Sequence, residues 1–300
     1  MNVIITGFNG FIGGNLAEEV GKTRHVIGID DFSTSSMSKP MPNNTHWSNM
    51  SIGTIHQHKD IKTIFHLGIP SSTPLYRNDR HLVGEAISDF IEVLEYCKEH
   101  DTKLVWASSS SVYNGYNPPH YEALVPKNTD FYTEARYYME RLAKTYFDFY
   151  GVNSIGLRLF SVYGKNDWRK GQYANLITQA LIAKQKNQFF KIYGDGTQTR
   201  DFTYVKDVVR AFLIAERYLK KNTCDIFNVG TGKETEINYM LELVGLKKKE
   251  YIKNPLKNYV DYTCAATTKA DKIMGFKAKY DLKSGLKDYL KTENFKEDST

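Results

Sequence analysis

The chain has 300 residues, 41% hydrophobic and 25% charged, the make-up of a soluble globular protein with room for one large domain or two unequal ones. Its formal charge of +6 comes mostly from lysines spread along the chain, densest in "KKK" at 247–249, and reads as a solvated surface, not a nucleic-acid patch. Cys97, Cys224 and Cys264 form no CxxC or Cys/His cluster, no apolar run approaches the ~20 residues that span a bilayer, and no signal sequence opens the chain; disulfide frameworks, zinc sites and membrane spans are therefore not expected, and a reducing cytoplasm is.

"NVIIT" (2–6) is a short apolar, β-branched run of the kind found in buried parallel strands. A glycine-rich turn follows, then the helix-like "NLAEEVGK" and a second strand, "HVIGID" (25–30). "TIFHLG" (63–68) and "KLVWASS" (103–109) read as further strands. Between them Val83, Ala86, Ile87, Phe90, Leu94 and Cys97 recur at helical spacing. "NSIGLRLFSVYG" (153–164) is a strand running into a loop, 173–184 and 207–219 read as helices, and "DIFNVGTG" (225–232) as a strand and turn. The polar tail from about 292 should fray. Strands alternating with helices imply right-handed βαβ units: an α/β, Rossmann-type doubly wound parallel sheet. The less regular second half suggests a smaller substrate-binding part. Residues 1–165 with about 204–232 would form the dinucleotide domain, and about 166–203 with 233–300 the other.

"TGFNGFIGG" places Gly7, Gly10 and Gly13 between a strand and a helix. Small residues there let backbone approach a pyrophosphate, and the helix N-terminus at Phe11 and Ile12 supplies donors. Asp30 ends the second strand, where a carboxylate accepts the adenosine ribose hydroxyls and repels a 2′-phosphate, favouring NAD over NADP. Asp31 is a candidate helper.

The stretches "TGFNGFIGG", "FHLG", "SSSSVY", "YTEAR", "LRLFSVYG", "IYGDGTQTRDFTYVKDVV" and "FNVGTG" occur in an order that resembles the extended short-chain dehydrogenase/reductase family, in its UDP-glucose 4-epimerase-like nucleotide-sugar branch. The later "TTKADKIMGF…LKSGL" is similar to that family's C-terminal pattern. The resemblance implies a catalytic Ser/Tyr/Lys set, which falls on Ser109, Tyr132 and Arg136. The third is a departure from lysine. Glu140 matches a glutamate often seen four residues further on. Tyr137 and Arg141 share the Tyr132–Arg136 spacing but lie at the wrong distance from the serine run.

Physical chemistry supports these roles. A tyrosine acting as a base near neutrality must lower a pKa of about 10 by roughly 3 units, or about 4 kcal/mol. A cation ~4–5 Å away at an effective dielectric of ~20 offers about that much. Arg136, one helical turn beyond Tyr132, is placed to be that cation. A guanidinium is nevertheless larger and aimed differently from the ammonium that, in the family, also holds the nicotinamide ribose.

The resemblance further implies that Leu67, Gly68 and Phe160 line the cofactor, and that Ser161, Asn175, Leu176 and Arg200 touch the sugar nucleotide. Ser161 replaces an asparagine common in galactose epimerases. In "NPLKNYVDY" (254–262) Lys257 is the candidate at a position where the family usually carries Arg or Lys before "GD". The family's dehydratases carry Asp-Glu at the positions of Ser110 and Ser111, and its decarboxylases a glutamate at the second. Neither acid is present here. The expected function is NAD-dependent epimerisation of a nucleotide sugar, most simply at C4 of a UDP-sugar, in a homodimer built on helices near 82–99 and 130–150. Dehydration, decarboxylation or net oxidoreduction on the same scaffold, and a non-catalytic NAD-binding protein, are the alternatives. No metal site is expected.

Overall fold

The structure, a computed structural model, describes residues 2–33, 45–49, 51–127, 130–255 and 259–293. Lys257, and the polar tail from 294 onward, lie outside them. The first half runs β1 (Asn2–Thr6), α1 (Phe11–Val20), β2 (His25–Asp30), β3 (Thr45–Asn49), β4 (Ile61–His66), α2 (Thr73–Asn78), α3 (Leu82–His100), β5 (Lys103–Ser109), α4 (Phe131–Tyr150) and β6 (Ser154–Leu159). The second half runs β7 (Val162–Tyr163), α5 (Leu176–Gln185), β8 (Phe190–Tyr193), β9 (Thr199–Arg200), β10 (Thr203–Tyr204), α6 (Val205–Tyr218), β11 (Cys224–Val229), β12 (Thr235–Glu236), α7 (Ile237–Val244), β13 (Lys249–Ile252) and α8 (Leu282–Thr292).

Seven strands form one sheet in the order β11-β6-β5-β4-β1-β2-β3, and every pairing in it is parallel. Alternation along each strand explains why both faces are covered. Val3 and Ile5 of β1, Phe65 of β4 and Val105 of β5 point to one face, where α1 and α6 supply Leu16, Val20, Val208 and Phe212. Ile4, Ile64, Leu104 and Trp106 point to the other, where α3 and α4 supply Phe90, Val93, Leu94, Ala135 and Met139. Burying each Val, Leu, Ile or Phe of these layers contributes about 1.5–3 kcal/mol. A third core gathers Ile177, Leu181, Phe190, Ile192, Met240, Leu241 and Tyr289 with Tyr163, Tyr204 and Val205.

The order of connection reverses between β1 and β4. The chain diverges there, and a crevice opens at the carboxyl ends of the strands, where α/β sheets bind ligands. The strands expected from sequence occupy six of the seven places. β3 escaped because "THWSN" has neither an apolar run nor alternation. The short pairs β9–β12 and β8–β13, with α7, were not foreseen either; they belong to the irregular second half.

Candidate active site

A cleft of about 880 Å³ lies at the reversal point. Gly7 follows β1 directly, with a left-handed φ of 64°. A Cβ on it would stand 2.7 Å from the Gly68 backbone, and one on Gly13 2.0 Å from the Gly7 carbonyl oxygen. Side chains are thus excluded from both places, and α1 begins pressed against the end of the sheet. Gly10 precedes α1 without a side-chain cap, and the first turn holds no acid. The orphan N–H groups of that turn, around Phe11 and Ile12, therefore face the cleft. At the end of β2 the Asp30 carboxylate is fixed by two backbone donors, Asn9 N to Oδ2 at 3.0 Å and Phe32 N to Oδ1 at 2.9 Å. Burial raises its pKa, and those two N–H groups oppose the rise. Asp31 lines the same end and accepts from Ser33 N and Oγ. An uncapped helix terminus, a cradle that one Cβ would fill and a pinned carboxylate fit a dinucleotide.

Leu67 and Gly68 line the cleft beside this cradle, held by Thr6. The Thr6 hydroxyl oxygen accepts from Leu67 N at 3.1 Å and Gly68 N at 2.9 Å, so its own proton goes to His66 Nδ1 at 2.8 Å. His66 is fully buried, and burial, with the Arg136 charge in addition, pushes its pKa down to about 3. The imidazole is neutral and acts as an acceptor at Nδ1.

At the other end Tyr132 sits in the first turn of α4, whose start is capped by Asp130 Oδ1 accepting from Thr133 N at 2.8 Å. Its ring packs edge-on against the buried Tyr76 at 5.5 Å. The Arg136 guanidinium lies 5.0 Å from the centre of the Tyr132 ring. Arg136 is 3% exposed; Nη2 donates to the Pro70 carbonyl oxygen at 2.7 Å, and Nε has no partner. It is turned away from solvent, and among the described residues it makes no salt bridge. Ser109 ends β5 and accepts from Ser111 N at 3.1 Å, which leaves its hydroxyl proton for donation. Ser109, Tyr132 and Arg136 line one cleft with Gly7, Gly10, Gly13 and Asp30.

Ser161 and Asn175 also line it. Ser161 holds a positive φ of 29°, a strained backbone for a residue with a side chain. Asn175 caps α5 through its side-chain oxygen, which accepts from Ile177 N. Three expected residues lie elsewhere. Phe160 is fully buried in a stack with Tyr113 and His120, because alternation sends Leu159 and Ser161 toward the cleft and Phe160 away from it. Leu176 opens α5 and packs on the third core. Arg200 is tied to the carbonyl oxygens of Thr199 and Asp261 and lies over the Tyr259 ring at 5.2 Å. Its strand pairs with β12, and it is not among the residues that line this cleft.

The cleft also carries residues that the sequence reading passed over. Arg169, Lys170 and Tyr173 face it from a 3₁₀ segment, Asp167–Tyr173, after β7. The Nε of Arg169 is buried, with no partner among the described residues. Glu85 and Asp89 of α3 also line the cleft. Burial, then the charges of Asp31, Glu85 and Glu92, push Asp89 up to about 6. The signal for Arg169 and Lys170 was their position just beyond "LRLFSVYG". Among the described residues no cluster of three or more His, Cys, Asp or Glu is arranged to hold a metal, and no helix is long and apolar enough to cross a membrane.

Sheet order, glycine turn and the pinned Asp30 carboxylate together define a Rossmann-type dinucleotide-binding protein. Residues 3–230 match the NAD dependent epimerase/dehydratase family, and the chain belongs to that family. It is 30% identical to a putative UDP-glucose 4-epimerase of Methanocaldococcus jannaschii, over 97% of this chain and 99% of that one. Its fold is similar to the UDP-glucose 4-epimerase of Thermotoga maritima, solved with UDP-glucose, at a TM-score of 0.88 and 26% identity over 97% and 98% of the two chains. It is also similar to MoeE5, solved with UDP-glucuronic acid and NAD, at a TM-score of 0.85 and 27% identity over 97% and 98%.

Proposed function

We propose that the protein is an NAD-dependent epimerase that inverts C4 of a UDP-sugar through a transient 4-keto sugar. The observation that carries this is the arrangement of Ser109, Tyr132 and Arg136 at one end of the cleft whose other end is the Gly7–Gly13 cradle and Asp30. The relatives' UDP-sugar substrates support the choice of substrate class. Bound NAD supplies the hydride acceptor and, once reduced, the donor. Asp30 receives the adenosine ribose hydroxyls. Tyr132, as phenolate, takes the proton of the C4 hydroxyl. Arg136 stabilises that phenolate, and Ser109 donates its free hydroxyl proton to the reacting oxygen. The keto sugar turns over, Tyr132 returns the proton, and no net oxidation occurs. Serines at 110 and 111 stand where the family's dehydratases and decarboxylases carry the acids that expel water or assist loss of a carboxyl.

The two-part division of the chain belongs to the same proposal: residues 1–165 and about 204–232 hold the dinucleotide, and the rest closes the sugar end. Arg169, Lys170, Ser161 and Asn175 serve the sugar nucleotide there. We also infer a homodimer through α3 and α4. α4 leaves Phe149 77% and Tyr150 59% exposed at its end, and Phe131 and Tyr138 exposed nearer its start. Three free thiols suit a reducing cytoplasm.

The test is incubation of the NAD-loaded protein with UDP-glucose, UDP-galactose, UDP-glucuronic acid and UDP-N-acetylglucosamine, with the products separated by stereochemistry. A C4 epimer of at least one is expected. Turnover by Tyr132→Phe equal to the parent's would overturn the reading.

A further inference from the structure

Glu140 follows Arg136 by one turn of α4 and Tyr132 by two. Its side chain is 6% exposed, and that of Arg158, on β6, 4%. Arg158 occupies both carboxylate oxygens: Nη2 donates to Oε2 at 2.6 Å and Nε to Oε1 at 2.8 Å. The hydroxyl of Ser108 adds a bond to Oε1 at 2.6 Å. The remaining terminal nitrogen of Arg158 donates to the Tyr113 hydroxyl at 2.8 Å and the Glu122 carbonyl oxygen at 3.1 Å. Burial works against the charge on Arg158, but the hydrogen bonds and charge of Glu140 outweigh it and hold the pKa above the ordinary guanidinium value.

Arg136 is buried nearby with no carboxylate partner among the described residues. Its bonds go to the Pro70 carbonyl and, weakly, to the Met139 sulfur. Residues four apart on a helix are surface neighbours whose side chains pair readily. A buried carboxylate without a cation of its own is strongly driven to find one. Arg136, four residues before Glu140 on α4, is a buried cation at the spacing from which it can reach that carboxylate if Arg158 is gone.

We propose that Arg158 is a positioning residue: by occupying Glu140 it keeps that carboxylate from capturing Arg136, and so reserves the Arg136 charge for the Tyr132 phenol. This rests on the reading of Tyr132 and Arg136 as the proton-handling pair. Removing the Arg158 cation alone draws the guanidinium one turn along α4, off the Tyr132 ring and the Pro70 carbonyl, and so withdraws its charge from the phenol. Removing Glu140 as well leaves Arg136 no competitor. The other titratable groups facing the pair are Tyr76 on α2, His66 on β4 and, further off, Glu85 on α3. Burial raises the pKa of Tyr76 and lowers that of His66 to about 3, so neither changes charge near neutrality.

The experiment compares NAD-loaded parent, Tyr132→Phe, Arg158→Met, Glu140→Gln and the double variant Glu140→Gln/Arg158→Met, measuring kcat and KM across pH and NAD content. Arg158→Met is expected to lower kcat at pH 7 by about tenfold or more and to move the rising limb of the kcat profile to higher pH by about one unit. The double variant should return both to within about threefold of Glu140→Gln, with the profile back in place. If Arg158→Met does not accumulate folded, Arg158→Lys replaces it; a single ammonium leaves one carboxylate oxygen open to Arg136, and a smaller shift in the same direction is expected. An unshifted profile in the single variant, or a profile still shifted in the double, overturns the proposal. Parity of Tyr132→Phe with the parent takes down the underlying reading as well; an inactive Tyr132→Phe with an unshifted Arg158 variant overturns this proposal alone.

Discussion

The guanidinium of Arg136 lies 5.0 Å from the centre of the Tyr132 ring while its Nη2 holds the Pro70 carbonyl oxygen at 2.7 Å. Nη2 of the guanidinium is thus spent on the loop that lines the cleft, and among the described residues no carboxylate competes for it. A guanidinium held beside the ring favours the phenolate over the neutral phenol. Arg136→Met should therefore lower kcat at neutral pH by about a hundredfold. Arg136→Lys keeps the charge and a donor for Pro70, and should stay within about tenfold of the parent. Equal losses in both variants would show that the charge is not what the site uses.

Tyr132→Phe removes the only proposed proton carrier and leaves the ring that packs against Tyr76. General acid–base groups contribute about 10²–10⁴-fold, so a loss of kcat in that range is expected. The cradle lies at the far end of the cleft, and NAD content, read from the absorbance of the released cofactor, should be unchanged.

Gly13→Ala would place a methyl 2.0 Å from the Gly7 carbonyl oxygen, a backbone atom with little room to move. Overpacking of this kind costs about 1–3 kcal/mol, and here the strain falls on the turn that would hold the pyrophosphate. A lower melting temperature together with a lower NAD content is expected. Gly151→Ala, at the far end of α4 where a methyl meets open space, also strains a left-handed residue, with a φ of 71°. It should lower the melting temperature without touching NAD content.

The parts of the site legible in the sequence are those that local chemistry dictates. Gly7, Gly10 and Gly13 are spaced by a tight turn. Asp30 ends an apolar strand, and Tyr132 and Arg136 share one helical face. The expected residues that do not line the cleft are those whose place a long-range partner decides. Phe160 follows strand alternation into a stack with Tyr113 and His120, which arrive from a loop far away in sequence. Arg200 is claimed by Asp261 and Tyr259. Arg169 and Lys170 were passed over because a basic pair in a lysine-rich chain reads as surface, and their 3₁₀ segment carries no periodicity. The Thr6–His66 link was invisible because a histidine in an apolar strand does not announce which nitrogen accepts.

Asp89 gives the cleft a pH-dependent contribution to stability. Its pKa is raised from the ordinary 3.8 to about 6, first by burial and then by Asp31, Glu85 and Glu92. A carboxyl whose folded pKa is raised binds its proton more tightly in the folded state. The stabilisation is complete below about 3.8 and is lost as pH rises through about 6. Above that range the ionised group costs the fold about 1 kcal/mol, after allowance for water in the open cleft, which screens such charges. Asp89→Asn keeps the shape without the charge. It should therefore melt higher than the parent at pH 7.5, and the advantage should shrink as the pH is lowered toward 4.5, where the parent carboxyl is largely protonated. Melting curves of the NAD-free proteins at the two pH values decide the matter. An advantage of the same size at both would mean that the substitution acts through packing, and that Asp89 carries no buried charge at neutral pH.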